Sequence, residues 1–133
     1  MRDHRKLRAY ALADAIALRV YEVTRSFPKE EMYGLTSQMR RAAVSVPSNI
    51  VEGCARSTQS EYVRFLEIAF GSLRELHYQL SLSHRLGMVF EADFDGLSGM
   101  CSECEKVLTG LMRSMRSDKP TPKKVLLPPV SSL

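Results

Sequence analysis

The side chains best able to do chemistry are three cysteines, three histidines and two sets of polar and basic residues. Cys101-Ser102-Glu103-Cys104 has the spacing of a redox dithiol or of half a zinc site. Zinc needs four ligands, and no second pair with matching spacing accompanies this one. A thioredoxin-like dithiol needs a strand–helix setting, which the chain lacks. Both sulfurs fall on an apolar seam, where cysteine serves as a small hydrophobic residue, so buried, reduced, metal-free thiols are expected. His77 and His84 stand seven residues apart, about 10.5 Å along a helix, too far to share one ion. They read as surface or interface polar residues, and His4 belongs to a basic N-terminus. Gly96-Leu97-Ser98-Gly99 has the outline of the GXXG loop of a KH module, but that loop sits in a mixed α/β fold. Nucleophile elbow, phosphate loop, dinucleotide fingerprint and paired-histidine zinc motif are all missing. The chain is therefore expected to be no enzyme and to carry no cofactor or metal.

Two constellations fit binding. Gln38, Arg41, Ser45, Asn49, Glu52 and Arg56 recur at helical spacing opposite an apolar face. This stripe holds short amides, hydroxyls and arginines but no lysine, a composition that favours fixed hydrogen bonds. A solvated face, a subunit-interface network, a ligand groove and a phosphate-contacting surface all satisfy it. Gly71-Ser72, in the middle of a predicted helix, suggests a close backbone approach opposite this stripe. The second constellation is charge. The formal net charge is +4, yet Arg2, Arg5, Lys6 and Arg8 against Asp3 give residues 1–8 a net +3. Arg113, Arg116, Lys119, Lys123 and Lys124 against Asp118 give residues 113–124 a net +4, so the body is acidic and the two ends basic.

The elements that must position these residues are helices. Three- and four-residue apolar steps run through Tyr10, Ala13, Ile16, Val20, Val23 and Phe27, predicting a first helix over 7–26 that Pro28 ends. Leu35, Met39, Ala42, Val46, Ile50 and Cys54 mark a second over 35–56, with a kink expected at Pro47 because the apolar phase continues across it. Thr58-Gln59-Ser60-Glu61 reads as a capping box opening a third helix, which Gly87 ends. Its core stripe is Tyr62, Phe65, Leu66, Ala69, Leu73, Leu76 and Leu80. Val63, Phe70 and Tyr78 lie off that stripe, so this helix is apolar on more than one side and suited to self-association. Phe94, Leu97, Cys101, Cys104, Leu108, Leu111 and Met115 form a heptad seam along a fourth helix over 92–116. Sustained two-residue alternation is absent.

The expected fold is all-α: an antiparallel up-down-up-down four-helix bundle over residues 1–117, followed by a basic, Pro-rich tail over 118–133 that is extended or disordered. That topology brings the two basic ends together. The odd cysteine count fits a reducing compartment, and no apolar run reaches about 18 residues, so a cytoplasmic protein with no membrane contact is expected.

Two blocks carry a family resemblance. Leu35-Thr36-Ser37-Gln38-Met39-Arg40-Arg41-Ala42-Ala43-Val44-Ser45-Val46-Pro47-Ser48-Asn49-Ile50-Val51-Glu52-Gly53 and Arg64-Phe65-Leu66-Glu67-Ile68-Ala69-Phe70-Gly71-Ser72-Leu73-Arg74-Glu75-Leu76 resemble the four-helix-bundle proteins encoded within intervening sequences of bacterial 23S ribosomal RNA genes. The likeness spans about residues 8–116 and leaves out the tail. It implies a homopentameric ring, no enzymatic activity, and distant kinship with the accessory variability protein of diversity-generating retroelements, a nucleic-acid-binding pentamer. The family's name records a gene location rather than a demonstrated RNA-binding role. Two functions follow as expectations: sequence-tolerant RNA or DNA binding through the basic ends, or a scaffold that binds a protein partner.

Overall fold

The computed structural model describes residues 2–117, which form four α-helices: α1 (Arg8–Thr24), α2 (Leu35–Cys54), α3 (Gln59–Arg85) and α4 (Glu91–Ser117). The Pro-rich tail lies outside the described residues. Each helix packs on the next, and α1 also packs on α4, closing the bundle. One core runs through it, built from Ile16 and Val20 of α1, Met39, Val46 and Ile50 of α2, Leu66, Leu73, Leu76 and Leu80 of α3, and Leu97 and Leu108 of α4. The apolar phase predicted from spacing is thus the phase that is buried.

Local chemistry sets the ends of the helices. The Thr58 hydroxyl accepts the Glu61 amide at 3.2 Å, the N-cap bond expected of that tetrapeptide. Gly87 takes φ +79°, a left-handed conformation open to glycine at little cost. Met88 N–H then reaches back to Ser83 O at 2.9 Å and Gly87 N–H to His84 O at 3.0 Å, the paired bonds of a Schellman ending. Helix α2 continues through Pro47 as a single element, as its unbroken apolar phase requires.

Three details differ from expectation. In α4 the core position after Leu108 is Met112, with Leu111 half-buried beside it. A straight helix advances 3.6 residues per turn, so a strict seven-residue count drifts off the core within a few turns. Phe65 is only half-buried, at the edge of the core beneath the Arg56 guanidinium, while Val63 is buried. The close approach of α2 and α3 occurs at Gly53 rather than at Gly71. A Cβ on Gly53 would lie 2.9 Å from Phe65 Cβ, whereas one on Gly71 would meet nothing within 4 Å. Ser72, the other half of that predicted contact, does receive the stripe, through Ser45.

Long-range bonds fix which ends coincide. Arg2 N–H reaches Cys54 O at 3.3 Å, and the Gln59 side chain donates to Met115 O. The chain start, the α2–α3 turn and the end of α4 therefore share one end of the bundle. Arg40 Nε–H to Thr24 Oγ1, 2.9 Å, and the Arg19–Asp93 pair tie the opposite end.

Candidate nucleic-acid interface

Among the described residues the chain start and the end of α4 lie at one end of the bundle. Four of the six cations named there, Arg2, Arg5, Arg8 and Arg116, are engaged by other protein groups. Arg5 forms an exposed pair with Asp3, whose carboxyl is held below the usual range by the side-chain and backbone bonds from Arg5. Arg8 on α1 pairs with Glu103 on α4, and Arg116 on α4 pairs with Glu67 on α3. Lys6 and Arg113 are exposed, and Arg113 lines a shallow groove between α3 and α4 with Phe70, Glu105 and Lys106. Lys119, Lys123 and Lys124 lie outside the described residues.

Arg2 is held differently. Its guanidinium lies over the Tyr62 ring, 4.1 Å from the centroid, and its NH1 donates to the backbone carbonyl of Arg56 at 3.3 Å. Arg56 in turn lies over Phe65 at 4.6 Å and gives its NH2 to Glu52 at 2.6 Å. The buried ring of Tyr62, whose hydroxyl is pushed from 10.0 up to about 12 mainly by burial, is the fixed floor beneath Arg2. A chain-end cation and a member of the α2 stripe thus meet, a juxtaposition that spacing along the chain does not reveal.

The rest of the stripe divides in two. Ser45 Oγ bonds Ser72 Oγ at 2.8 Å, and Asn49 donates to the Ser45 carbonyl at 2.8 Å and to its hydroxyl at 3.0 Å, a polar seam joining α2 to α3. Gln38 and Arg41 stand exposed. Of the two aromatics expected on a free face, Tyr78 is 60% exposed, whereas Phe70 is half-buried and packs against the core.

The histidines do more than occupy surface. His77 Nδ1 bonds Glu105 at 2.8 Å and Nε2 bonds Ser98 at 2.9 Å, while Arg74 reaches the same carboxylate at 3.3 Å. This network locks α3 to α4. No helix-pattern signal announces it, because its members lie 21 to 31 residues apart and meet only once the helices pair. His84 stacks on Phe94, centroids 4.0 Å apart, and pairs with Glu91. Cys54, Cys101 and Cys104 are free, buried thiols. Cys101 and Cys104 are pushed from 9.0 up to about 12, chiefly by burial.

The family model of the 23S rRNA-intervening sequence proteins matches residues 5–110. The chain belongs to that family. Among solved structures it is similar to a protein of unknown function from the S23 ribosomal protein family of Bacteroides thetaiotaomicron VPI-5482. The TM-score is 0.73 at 19% identity, covering 79% of this chain and 95% of that one, a likeness of fold. No curated protein matches. The family match takes in α1, α2 and α3 and ends within α4, short of Arg113 and Arg116. No helix among the described residues is long and apolar enough to cross a membrane.

Proposed function

We propose that this member of the 23S rRNA-intervening sequence family is a non-enzymatic homo-oligomer, a pentamer of bundles, that binds RNA or DNA phosphates through its basic end. The observation that carries the reading is the convergence of the chain start and the end of α4 at one end of the bundle. Repeated once per subunit around a closed ring, even a weak cluster becomes a multivalent electrostatic surface. Arg113, Lys6, Arg2 and the tail lysines present that charge. The acidic body disfavours phosphate elsewhere. Base-reading elements are not evident, so binding is sequence-tolerant and rests on phosphate contacts.

The test is retention of RNA by the full chain as a function of salt, since phosphate neutralisation releases counterions and weakens steeply with ionic strength. Deleting residues 117–133 and neutralising Arg2, Arg5, Lys6 and Arg8 is expected to lower both affinity and salt slope, with the oligomer mass unchanged. Equal binding by the altered chain would mean that the ends are not the site. A parent chain that retains no RNA at low salt would leave the scaffold reading, in which the same oligomer docks a protein partner.

A further inference from the structure

Between the chain start and the α2–α3 turn lies an open cleft of about 640 Å³ lined by Arg2, Ala55, Arg56 and Ser57. Both arginines are pre-set. A guanidinium lying on an aromatic ring has one face covered and its N–H edge left to donate in plane. Tyr62 fixes Arg2 in this way and Phe65 fixes Arg56. Arg2 has no carboxylate partner among the described residues, while Arg56 has one, Glu52, on NH2 alone. Arg56 Nε is a buried donor without an acceptor among the described residues. With Nε enclosed and NH2 on Glu52, NH1 is the group of Arg56 left to donate into the cleft.

Resting on the reading of this chain as a nucleic-acid binder, we propose that Arg2 and Arg56 form a clamp for one phosphodiester of the nucleic-acid backbone. The ligand must be anionic and rich in acceptor oxygens, because the cleft offers guanidinium edges and the Ser57 hydroxyl. A phosphate oxygen satisfies several donors at once, in the geometry guanidinium recognises best. The α2–α3 turn carries the clamp directly into α3, whose N-terminal dipole adds favourable potential for an anion. Arg8 and Arg116 each pair with one carboxylate, as Arg56 does with Glu52, and Arg5 is held by Asp3, but among the described residues none of these three lies on an aromatic ring that fixes its guanidinium. Lys6 and Arg113 keep their side-chain freedom and lose it on binding, a cost that the stacked arginines have met in folding. The rings are covered by the guanidinium groups rather than offered to bases, which keeps recognition blind to sequence.

The experiment uses the full chain, a 20-nucleotide oligouridylate and, separately, inorganic phosphate. The Arg2→Gln/Arg56→Gln variant is expected to bind the oligonucleotide at least about tenfold more weakly. Its salt slope should fall by about 0.7 for each clamp that had held a phosphate of the single strand. Arg25→Gln/Arg40→Gln removes equal charge at the opposite end, including an arginine stacked on Tyr21, and is expected to bind as the parent does. Light scattering and thermal unfolding check that both variants fold and assemble. In the parent, the Arg56 Nε–H resonance should shift on adding oligouridylate and far less with equimolar inorganic phosphate, which separates a backbone site from a general oxyanion site. An unmoved resonance at saturating oligonucleotide, or unchanged affinity and slope in the Arg2/Arg56 variant, would overturn the clamp while leaving nucleic-acid binding through the chain ends in place. Failure of the parent to bind oligouridylate at low salt would overturn both.

Discussion

Cys101 and Cys104 show how the environment of a residue decides its chemistry. Their spacing is that of a reactive pair, but each thiol lies in the core and is pushed up to about 12, mostly by burial and secondarily by the charge of Glu105. A thiol that stays protonated is a poor nucleophile and a poor ligand. The folded state therefore holds its two protons above pH 9, where the unfolded chain releases them. Linkage gives the sign: the thiol contribution to stability is complete below about pH 9 and is lost as pH rises toward about 12. Urea unfolding of the parent should show a falling midpoint across that window. Replacing both cysteines by Ala should flatten the fall and cost on the order of 1–3 kcal/mol at neutral pH through lost packing. A parent whose midpoint is flat from pH 9 to 12 would show that these thiols titrate normally. Burial of the pair was legible in the sequence because each sulfur sits in phase with Leu97 and Leu108. The role of His77 was not, because its partners come from a different helix.

At the scale of elements, the sequence made most of the bundle legible, since core phase, N-cap and C-terminal glycine are local properties. What it did not make legible was the pairing of faces. Glycine signals close approach only where another backbone arrives, and single-helix patterns do not say where that is. Gly71 faces open space in the protomer, whereas Gly53 sits against Tyr62 and Phe65. A methyl at Gly53 would stand 2.9 Å from Phe65 Cβ and 3.4 Å from the Tyr62 carbonyl, neither of which is the free end of a flexible chain. Gly53→Ala should force α2 and α3 apart and destabilise by roughly 1–3 kcal/mol. Gly99→Ala, on an exposed turn of α4 with nothing within 4 Å, should stabilise by about 0.5–1 kcal/mol through better helix propensity. Denaturant midpoints of the two variants should move in opposite directions. Movement of both in the same direction would mean that the α2–α3 spacing, or the exposure of Gly99, is not as described.

For the whole molecule, the apolar surface left over by the protomer bears on assembly. Four core stripes close on one another, yet Leu18 (64% exposed), Tyr33 (93%), Tyr78 (60%) and Phe90 (77%) remain outside, as do Val44 and Val51 on α2. Single exposed apolar residues are ordinary, but α1 and α2 adjoin and expose Leu18, Tyr21, Val44 and Val51 between them. The expectation from α3 alone rested on Phe70 and Tyr78, and the half-burial of Phe70 shifts that weight toward Tyr78 and toward the α1–α2 side. Self-association covers such surface in every subunit at once, and a closed ring leaves none of it at a free edge. The proposed pentamer should keep a mass near five times 15.0 kDa on dilution to low micromolar concentration. Charged substitutions at Leu18 and Val44, or at Tyr78, should lower that mass while helicity is retained, and the set that does so identifies the face in contact. A parent chain that elutes as a monodisperse 15.0 kDa monomer would end the ring model. With it would go the multivalency on which tight binding by one modest cluster of cations depends.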